Sequence, residues 1–556
     1  MKHGAASWLL VLGLVVAVWV PLMYTVAPQD DSYISYRYAR NLVEGHGLVF
    51  NAGEEAVEGY TNFGWTVLIA AGMSVGFDPE FLGPALGLLA TLGAAYLVYR
   101  LGRLLGAPPM FAALGTLLFA VQPTQTVHAM SGLESSSFAF LVVLSVWLRV
   151  KRARTGREDI LAGLGLGLAA LTRPEGIMLF ALLEVAEVVQ RMFGVTPRHG
   201  HSAPSWISGV VRRVLPFALM VGGHFLWRHA TYGDWLPNTF YAKVAPGPVV
   251  WSDGLRYITN GVREFGVFLF VFPYLVLALR AGGQPVGEGR KPVGSLHEES
   301  TRGSRATVLF VSTAWLLYVA SVGGDYMPYF RFLLPLIPLW CALAAAAMGL
   351  LSGRIGGAAG DRLAIGTFLL LGALGTWVGY LDGDYWPKQA QQHARLEAAG
   401  RKLDEVLPEE AWIAATNCGR IPYFARRRCI DMMGLSDKHI GRKPAAETET
   451  IFLEGHLKGD GGYVLDNKPE VIVFLRLVTT EQPLTASPDW PMAVRRQAFS
   501  ISEAELARDV RLRQEYHLYS LPLPGQKVFM NVFARPGTFG KKPPTGLREA
   551  PWPRRR

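Results

Sequence analysis

The chain has 556 residues and a formal net charge of +10; half of it is apolar and 18% is charged. The charge is uneven, with 49 Asp, Glu, Lys or Arg among the first 380 residues and 49 among the last 176. Soluble domains sit near ~25% charged, so residues 1–380 read as a polytopic membrane domain and 381–535 as a soluble one. A single soluble enzyme, a coiled coil and a disordered chain are excluded.

The segment Ser7–Met23 follows Lys2 and His3 and resembles the apolar part of a signal peptide. No small-residue cleavage site follows it, so it reads as a retained first span. Further apolar runs lie near 80–99, 110–128, 135–150, 159–172, 176–192, 208–228, 264–280, 306–322, 332–350 and 363–380. Several are shorter than the ~20 residues of a full crossing. The run 62–77 does not pair with a neighbour; a re-entrant or interfacial helix, or a shifted pairing, each account for it. Lys151–Arg157, the loop holding Arg191, Arg198, Arg212 and Arg213, and the loop 280–305 are basic and are therefore expected inside. This explains the net charge without a nucleic-acid partner. Eleven to thirteen spans, with the N-terminus cytoplasmic and residues after 380 outside, fit this pattern. The loops 28–61, 129–135, 173–176, 229–263 and 323–331 then share the outer face. Ionisable residues beside spans are costly and mark function by default.

The first outer loop begins Asp30-Asp31-Ser32-Tyr33-Ile34-Ser35-Tyr36-Arg37-Tyr38. Ile34, Tyr38 and Leu42 recur at helical spacing, predicting an amphipathic helix over 32–44 with tyrosines suited to the headgroup layer. The adjacent carboxylates Asp30 and Asp31 at its start either cap the helix or do chemistry. As chemistry, they orient or deprotonate a hydroxyl, or hold a divalent cation such as Mg²⁺, Mn²⁺ or Ca²⁺. Glu58-Gly59-Tyr60-Thr61-Asn62 mixes a carboxylate, a ring and an amide, which suits a sugar or an interfacial anchor.

Residues 30–51, running through Arg37-Tyr38-Ala39-Arg40-Asn41-Leu42-Val43 to Phe50-Asn51, and then Val57-Glu58-Gly59-Tyr60-Thr61-Asn62, resemble the first-loop signature of a family of GT-C-fold membrane glycosyltransferases. This is the family of the mycobacterial terminal arabinofuranosyltransferase. Weaker echoes run through Gly132–Glu134, Arg173–Gly176, Leu236–Thr239, Gly323–Met327 with Arg331, Asp431–Asp437 and Gly455–Gly461. The resemblance implies a donor sugar on a polyprenyl phosphate, transfer at the outer face of a bacterial plasma membrane, and a catalytic role for the acidic pair, Asp30 and Asp31. An envelope glycan or glycolipid is the implied acceptor. The donor sugar is not fixed, arabinofuranose or another pentose being candidates.

A departing polyprenyl phosphate needs cations. Arg37, Arg40, Lys243 and Arg331 are the candidates, an arginine clamping with paired hydrogen bonds and a lysine acting as a point charge. Arg173 and Glu175 either pair with each other or meet substrate. Asn238 and Asp325 lie in polar outer turns and join the substrate-facing set. No P-loop, dinucleotide fingerprint or zinc spacing occurs, so no nucleotide cofactor is expected. A lipid-sugar transporter and a non-enzymatic envelope scaffold are the rival readings. The first predicts polar residues along the spans and a route to both faces.

In the last third, 386–406 reads as a helix, and Ala411–Thr416 and Glu470–Leu475 as buried strands, giving an α/β or α+β extracytoplasmic domain. Arg426–Arg428 reads as a solvated cluster and 536–556 as a disordered basic tail. Cys418 and Cys429 can pair if this domain meets an oxidising compartment.

Overall fold

The computed structural model describes residues 27–151, 156–192, 203–243, 249–265, 295–363, 365–367, 370, 385–445, 456–484, 494, 496, 498–523, 525–541 and 543–550. The expected first span, the run 264–280 beyond Phe265, most of 363–380 and the terminal arginines lie outside these residues.

The chain forms two compact units. The first comprises 1–26, 80–225 and 247–384; the second comprises 27–79, 226–246 and 385–556.

The first unit is helical. Four helices are long and apolar enough to cross a membrane: Pro79–Leu104, Trp206–Tyr232, Thr301–Val322 and Arg331–Gly353. A fifth crossing results if Pro109–Ala120 and Pro123–Met130, bent by 53°, count as one. Prolines open three of these helices, where the missing N–H is not needed. Shorter helices fall on the runs expected at 135–150, 159–172 and 176–192, as Ser135–Val150, Gly156–Thr172 and Glu175–Met192. Phe138, Val142, Leu166, Leu179, Trp315 and Leu339 form part of one continuous buried core. Many apolar side chains, such as Leu89, Leu92, Leu219 and Leu226, remain exposed, as lipid-facing surfaces require.

One end of this unit is tied by buried charge. Arg213, 1% exposed, donates to Asp159 at 2.7 Å, to Glu184 at 3.0 Å and to Glu187 at 3.0 Å. Arg149 reaches Glu187 at 2.7 Å and Arg191 reaches the same carboxylate at 3.0 Å. Three guanidiniums thus meet three carboxylates. The network joins the helices 135–150, 156–172, 175–192 and 203–232, and its neutrality makes charge tolerable there.

The second unit begins with the helix Asp30–Val43, close to the predicted 32–44. It is not an interfacial helix with one wet face. Residues 32 to 39 are all buried, and Tyr33, Tyr36 and Tyr38 have no exposed surface. Tyr33 and Tyr36 pack edge-on against Tyr423, and Tyr38 against Tyr60. Tyr33 and Tyr36 are core residues because the C-terminal segment at 423 covers them, and Tyr38 because the loop 50–60 does. The run 62–77 forms the helix Phe63–Ser74; twelve residues span about 18 Å, short of a ~30 Å hydrocarbon layer.

The helix Tyr385–Val406 leads into a seven-stranded mixed sheet. Its strands are β1 (Trp412–Ala415), β2 (Arg428–Asp431), β3 (Val471–Val473), β4 (Thr479–Thr480), β5 (His517–Leu523), β6 (Val528–Ala534) and β7 (Arg548–Ala550), in the order β2-β1-β3-β6-β5-β7 with β4 also on β6. β1 pairs in parallel with β2 and β3, the rest antiparallel. The predicted strands at 411–416 and 470–475 are β1 and β3. The tail expected to be disordered instead adds β7 to β5, pairing Leu518 with Ala550; the exposed strand edge offers hydrogen bonds that composition does not reveal. Arg427, expected in a solvated cluster, is 6% exposed and bonds to Asp404 and to the carbonyls of Asp404, Ala425 and Leu407. Cys418 and Cys429 are buried free thiols, and Cys418 donates to Asp431 at 2.8 Å.

Candidate active site

Asp30 and Asp31 occupy the first turn of the helix 30–43, where the helix dipole favours negative charge. Asp30 does not cap its own helix. Its carboxylate meets the turn that follows β1. Arg420 N–H donates to Oδ1 at 2.8 Å and Gly419 N–H to Oδ2 at 3.2 Å. The side-chain amide of Asn417 faces both oxygens at 2.8 and 3.1 Å with its nitrogen as donor, the only assignment a carboxylate can accept. Burial, aided by the Asp31 charge, outweighs these bonds and pushes the Asp30 carboxyl up to about 6. A carboxylate near that value changes protonation close to neutral pH, as a base must. The same bonds make it a poor cation ligand: Asp30 already faces three N–H groups, whereas Mg²⁺ or Ca²⁺ wants a shell of oxygens. Among the described residues no three His, Cys, Asp or Glu side chains group as a metal site.

Several residues expected to face substrate organise the loop instead. Arg37 is buried; it donates to the carbonyls of Phe50 at 2.7 Å, Pro422 at 2.5 Å and Arg427 at 2.8 Å, and to Asn51 at 3.1 Å. Arg40 donates to the Tyr423 carbonyl at 2.8 Å and lies over its ring. Glu58 is paired in two-pronged fashion with Arg228, at 2.5 and 3.1 Å. Burial raises the Glu58 carboxyl while Arg228 opposes the rise. Tyr60 meets Tyr232 hydroxyl to hydroxyl at 3.1 Å, and Asn62 bonds Ser35 and Thr66. Asn238 donates to the carbonyls of Gly434, Leu435 and Asp437, at 2.9 to 3.1 Å, which seats the 431–437 turn. Lys243 ends the helix Asn238–Lys243 and is exposed. Within this unit it is the predicted cation whose side chain faces solvent.

The first unit brings together the remaining predictions. Arg173 is bonded to Glu134 at 2.8 Å and to Glu175 at 2.8 Å, and Arg331 to Asp325 at 2.6 Å. Both arginines border one small pocket with Ser135, Trp315 and Tyr318. Tyr329 and Phe330, just before Arg331, hold φ of 59° and 49°, costing about 1–3 kcal/mol each. Two guanidiniums face three carboxylates here, so an anion must compete with Glu134, Glu175 and Asp325.

Sequence reasoning missed Arg228, Asn417, Gly419 and Arg420. A Gly closing a predicted buried strand, in Thr416-Asn417-Cys418-Gly419, was the available signal for a functional turn.

Comparison with known proteins bears out the resemblance. The chain is 30% identical over 390 residues to the terminal beta-(1->2)-arabinofuranosyltransferase of Mycobacterium tuberculosis, covering 64% of this chain and 57% of that one. It is 29% identical over 346 residues to the Corynebacterium glutamicum protein of the same name, covering 56% and 46%. The chain thus spans about half the length of these curated relatives. A family model described as a domain of unknown function (DUF8728) matches residues 384–521. Crystal structures of ArnT from Cupriavidus metallidurans match over 97% of this chain and 100% of theirs, with 14% identity. The TM-score is 0.58 to the apo state and 0.55 to the state bound to undecaprenyl phosphate. The fold is therefore of the GT-C type, and the chain is a multi-pass membrane protein.

Proposed function

We propose that the protein is a membrane glycosyltransferase that moves a sugar, arabinofuranose or another pentose, from a polyprenyl-phosphate donor to an envelope glycan or glycolipid acceptor. The observation that carries this reading is the Asp30 carboxylate, fixed by three N–H donors inside the segment with the strongest family resemblance. The names of the sequence relatives support the sugar, and the undecaprenyl phosphate bound to ArnT supports the lipid carrier.

In this reading Asp30 takes the proton of the acceptor hydroxyl as that oxygen attacks the anomeric carbon, and Asp31 orients the acceptor. The bond to the phosphate breaks as the new glycosidic bond forms. The leaving polyprenyl phosphate needs no added proton, because a phosphate monoester is a weak base. Lys243 is the cation assigned to it; the Arg331 guanidinium is held by Asp325. Arg37 and Arg40 are assigned to holding the loop. The reaction takes place on the outer face of a bacterial plasma membrane, with the N-terminus cytoplasmic. Residues 1–380 carry the membrane-spanning segments of the transferase and its catalytic loop at 30–61, and the residues from 381 through β7 carry an extracytoplasmic domain whose sheet shares a compact unit with that loop. No nucleotide takes part.

Lipid-reconstituted protein supplied with a panel of polyprenyl-phosphate pentoses and hexoses, together with membrane glycan acceptors, tests this. Sugar-dependent release of polyprenyl phosphate, with label in the acceptor, is expected for one donor. Labelled lipid-sugar crossing the bilayer without release would favour the transporter instead.

A further inference from the structure

The turn between β1 and the helix Arg420–Ala425 belongs to the sheet of the second unit, far in sequence from the acidic pair. Three of its features converge on Asp30. Gly419 and Arg420 give it their backbone N–H groups, and Asn417 its side-chain amide. Gly419 also admits the loop physically: a Cβ there would lie 2.0 Å from the Asp30 carbonyl oxygen and 2.5 Å from Oδ2, distances no side chain can occupy. The Arg420 guanidinium then holds the residues on either side of the pair. It donates to the Pro28 carbonyl at 2.5 Å and to the Tyr33 hydroxyl at 2.9 Å, and lies 4.2 Å over the Tyr33 ring. A helix cap needs one acceptor for one or two amides. Here a side-chain amide is added, a glycine is required by contact, and the neighbouring backbone is clamped.

We propose that Asn417 and Gly419 are positioning residues for the Asp30 carboxylate, so that the turn after β1 in the C-terminal sheet is part of the transfer apparatus. This rests on the reading of Asp30 as the base. Asn417 fixes the plane of the carboxylate and favours its ionised form through a charge-assisted bond. The charged and titratable groups facing Asp30 are Asp31 on its own helix and Cys418 and Arg420 on the turn. Asn417 is a neutral side-chain donor beside them, and its removal takes away one donor group without changing the charge.

Losing a donor to the anion raises the pKa of Asp30, so the acid limb of kcat/KM moves to higher pH. Asn417→Ala is expected to move that limb up by about one pH unit, with donor KM changed less than about twofold and kcat reduced. Asn417→Ser, which keeps a donor, should fall between. Gly419→Ala should lose activity altogether. A variant that merely folds poorly lowers the rate at every pH and leaves the limb in place, so the position of the limb separates positioning from stability.

A second readout does not need turnover. Infrared pH-difference spectra of the intact protein, wild type minus Asp30→Asn, isolate the Asp30 carboxyl band. Its titration should shift upward in Asn417→Ala by the same amount. An unmoved Asp30 titration and an unmoved acid limb in Asn417→Ala would overturn the positioning role. A shifted titration in a protein that transfers no sugar from any donor would overturn the transferase reading and, with it, the catalytic meaning of the clamp.

Discussion

The Glu58–Arg228 pair ties the first loop to the end of the helix Ala203–Tyr232, and its removal is a sharp test of how the second unit is held. The side chains are 2% and 6% exposed, and their two hydrogen bonds measure 2.5 and 3.1 Å. Arg228 also donates to the Trp235 carbonyl at 3.3 Å. Arg228→Met leaves a buried carboxylate without its guanidinium, which costs about 3–5 kcal/mol. For a unit of this size that is roughly 10 °C in unfolding temperature. The loss depends on pH. Burial already raises the Glu58 carboxyl, and removing Arg228 takes away the main opposing influence. A carboxyl whose folded pKa lies above its unfolded value binds its proton more tightly when folded, so stability falls as pH rises through the folded pKa. Arg228→Met should therefore be closer to wild type at pH 5 than at pH 8, and the double variant Glu58→Gln with Arg228→Met should recover part of the loss at pH 8. Thermal unfolding of the detergent-solubilised protein reads all of these values. A change under about 2 °C at pH 8, or a loss that grows as the pH is lowered, would refute the reasoning.

Gly176→Ala should disrupt the turn that carries Arg173 and Glu175, because the new Cβ would stand 2.3 Å from the Ala170 nitrogen and 2.5 Å from the Ala169 carbonyl carbon; an unfolding temperature equal to wild type would contradict this. Arg213→Met should be destabilised by several kcal/mol, since it strips Asp159, Glu184 and Glu187 of their shared guanidinium, and should show as reduced yield and a lower unfolding temperature. All three cysteines are buried free thiols, and burial pushes Cys429 up to about 12. A thiol-specific chromogenic reagent should label none of them in the folded protein and three after denaturation.

Composition alone divided the chain into an apolar and a polar part, because lipid-facing helices and a solvated domain need different amounts of charge. The helices 30–43 and 385–406 are legible from local periodicity, and strands β1 and β3 as short apolar runs bounded by turns. What lay beyond reach was pairing across sequence distance. Arg37 and Arg331 look alike in a hydropathy plot, yet Arg37 is spent on backbone carbonyls from residues 50, 422 and 427 while Arg331 borders a pocket. Arg173 with Glu175 could pair locally or meet substrate; the structure gives Arg173 two carboxylates, one of them 39 residues away. β7 was hidden in a proline-rich tail because a free strand edge decides its pairing. The pair Asp30-Asp31 is visible in the sequence, but the partners of Asp30 at 417–420 follow only from the fold.

The most direct test of the central claim is the single-turnover rate of sugar transfer in reconstituted protein, measured for wild type, Asp30→Asn and Asp31→Asn at pH 8 with folding verified. A loss of about 10²–10⁴-fold is expected for Asp30→Asn, the range contributed by a general base, with no recovery as pH is raised. Transfer by Asp30→Asn within a few-fold of wild type would contradict it and reduce Asp30 to a cap for the turn after β1.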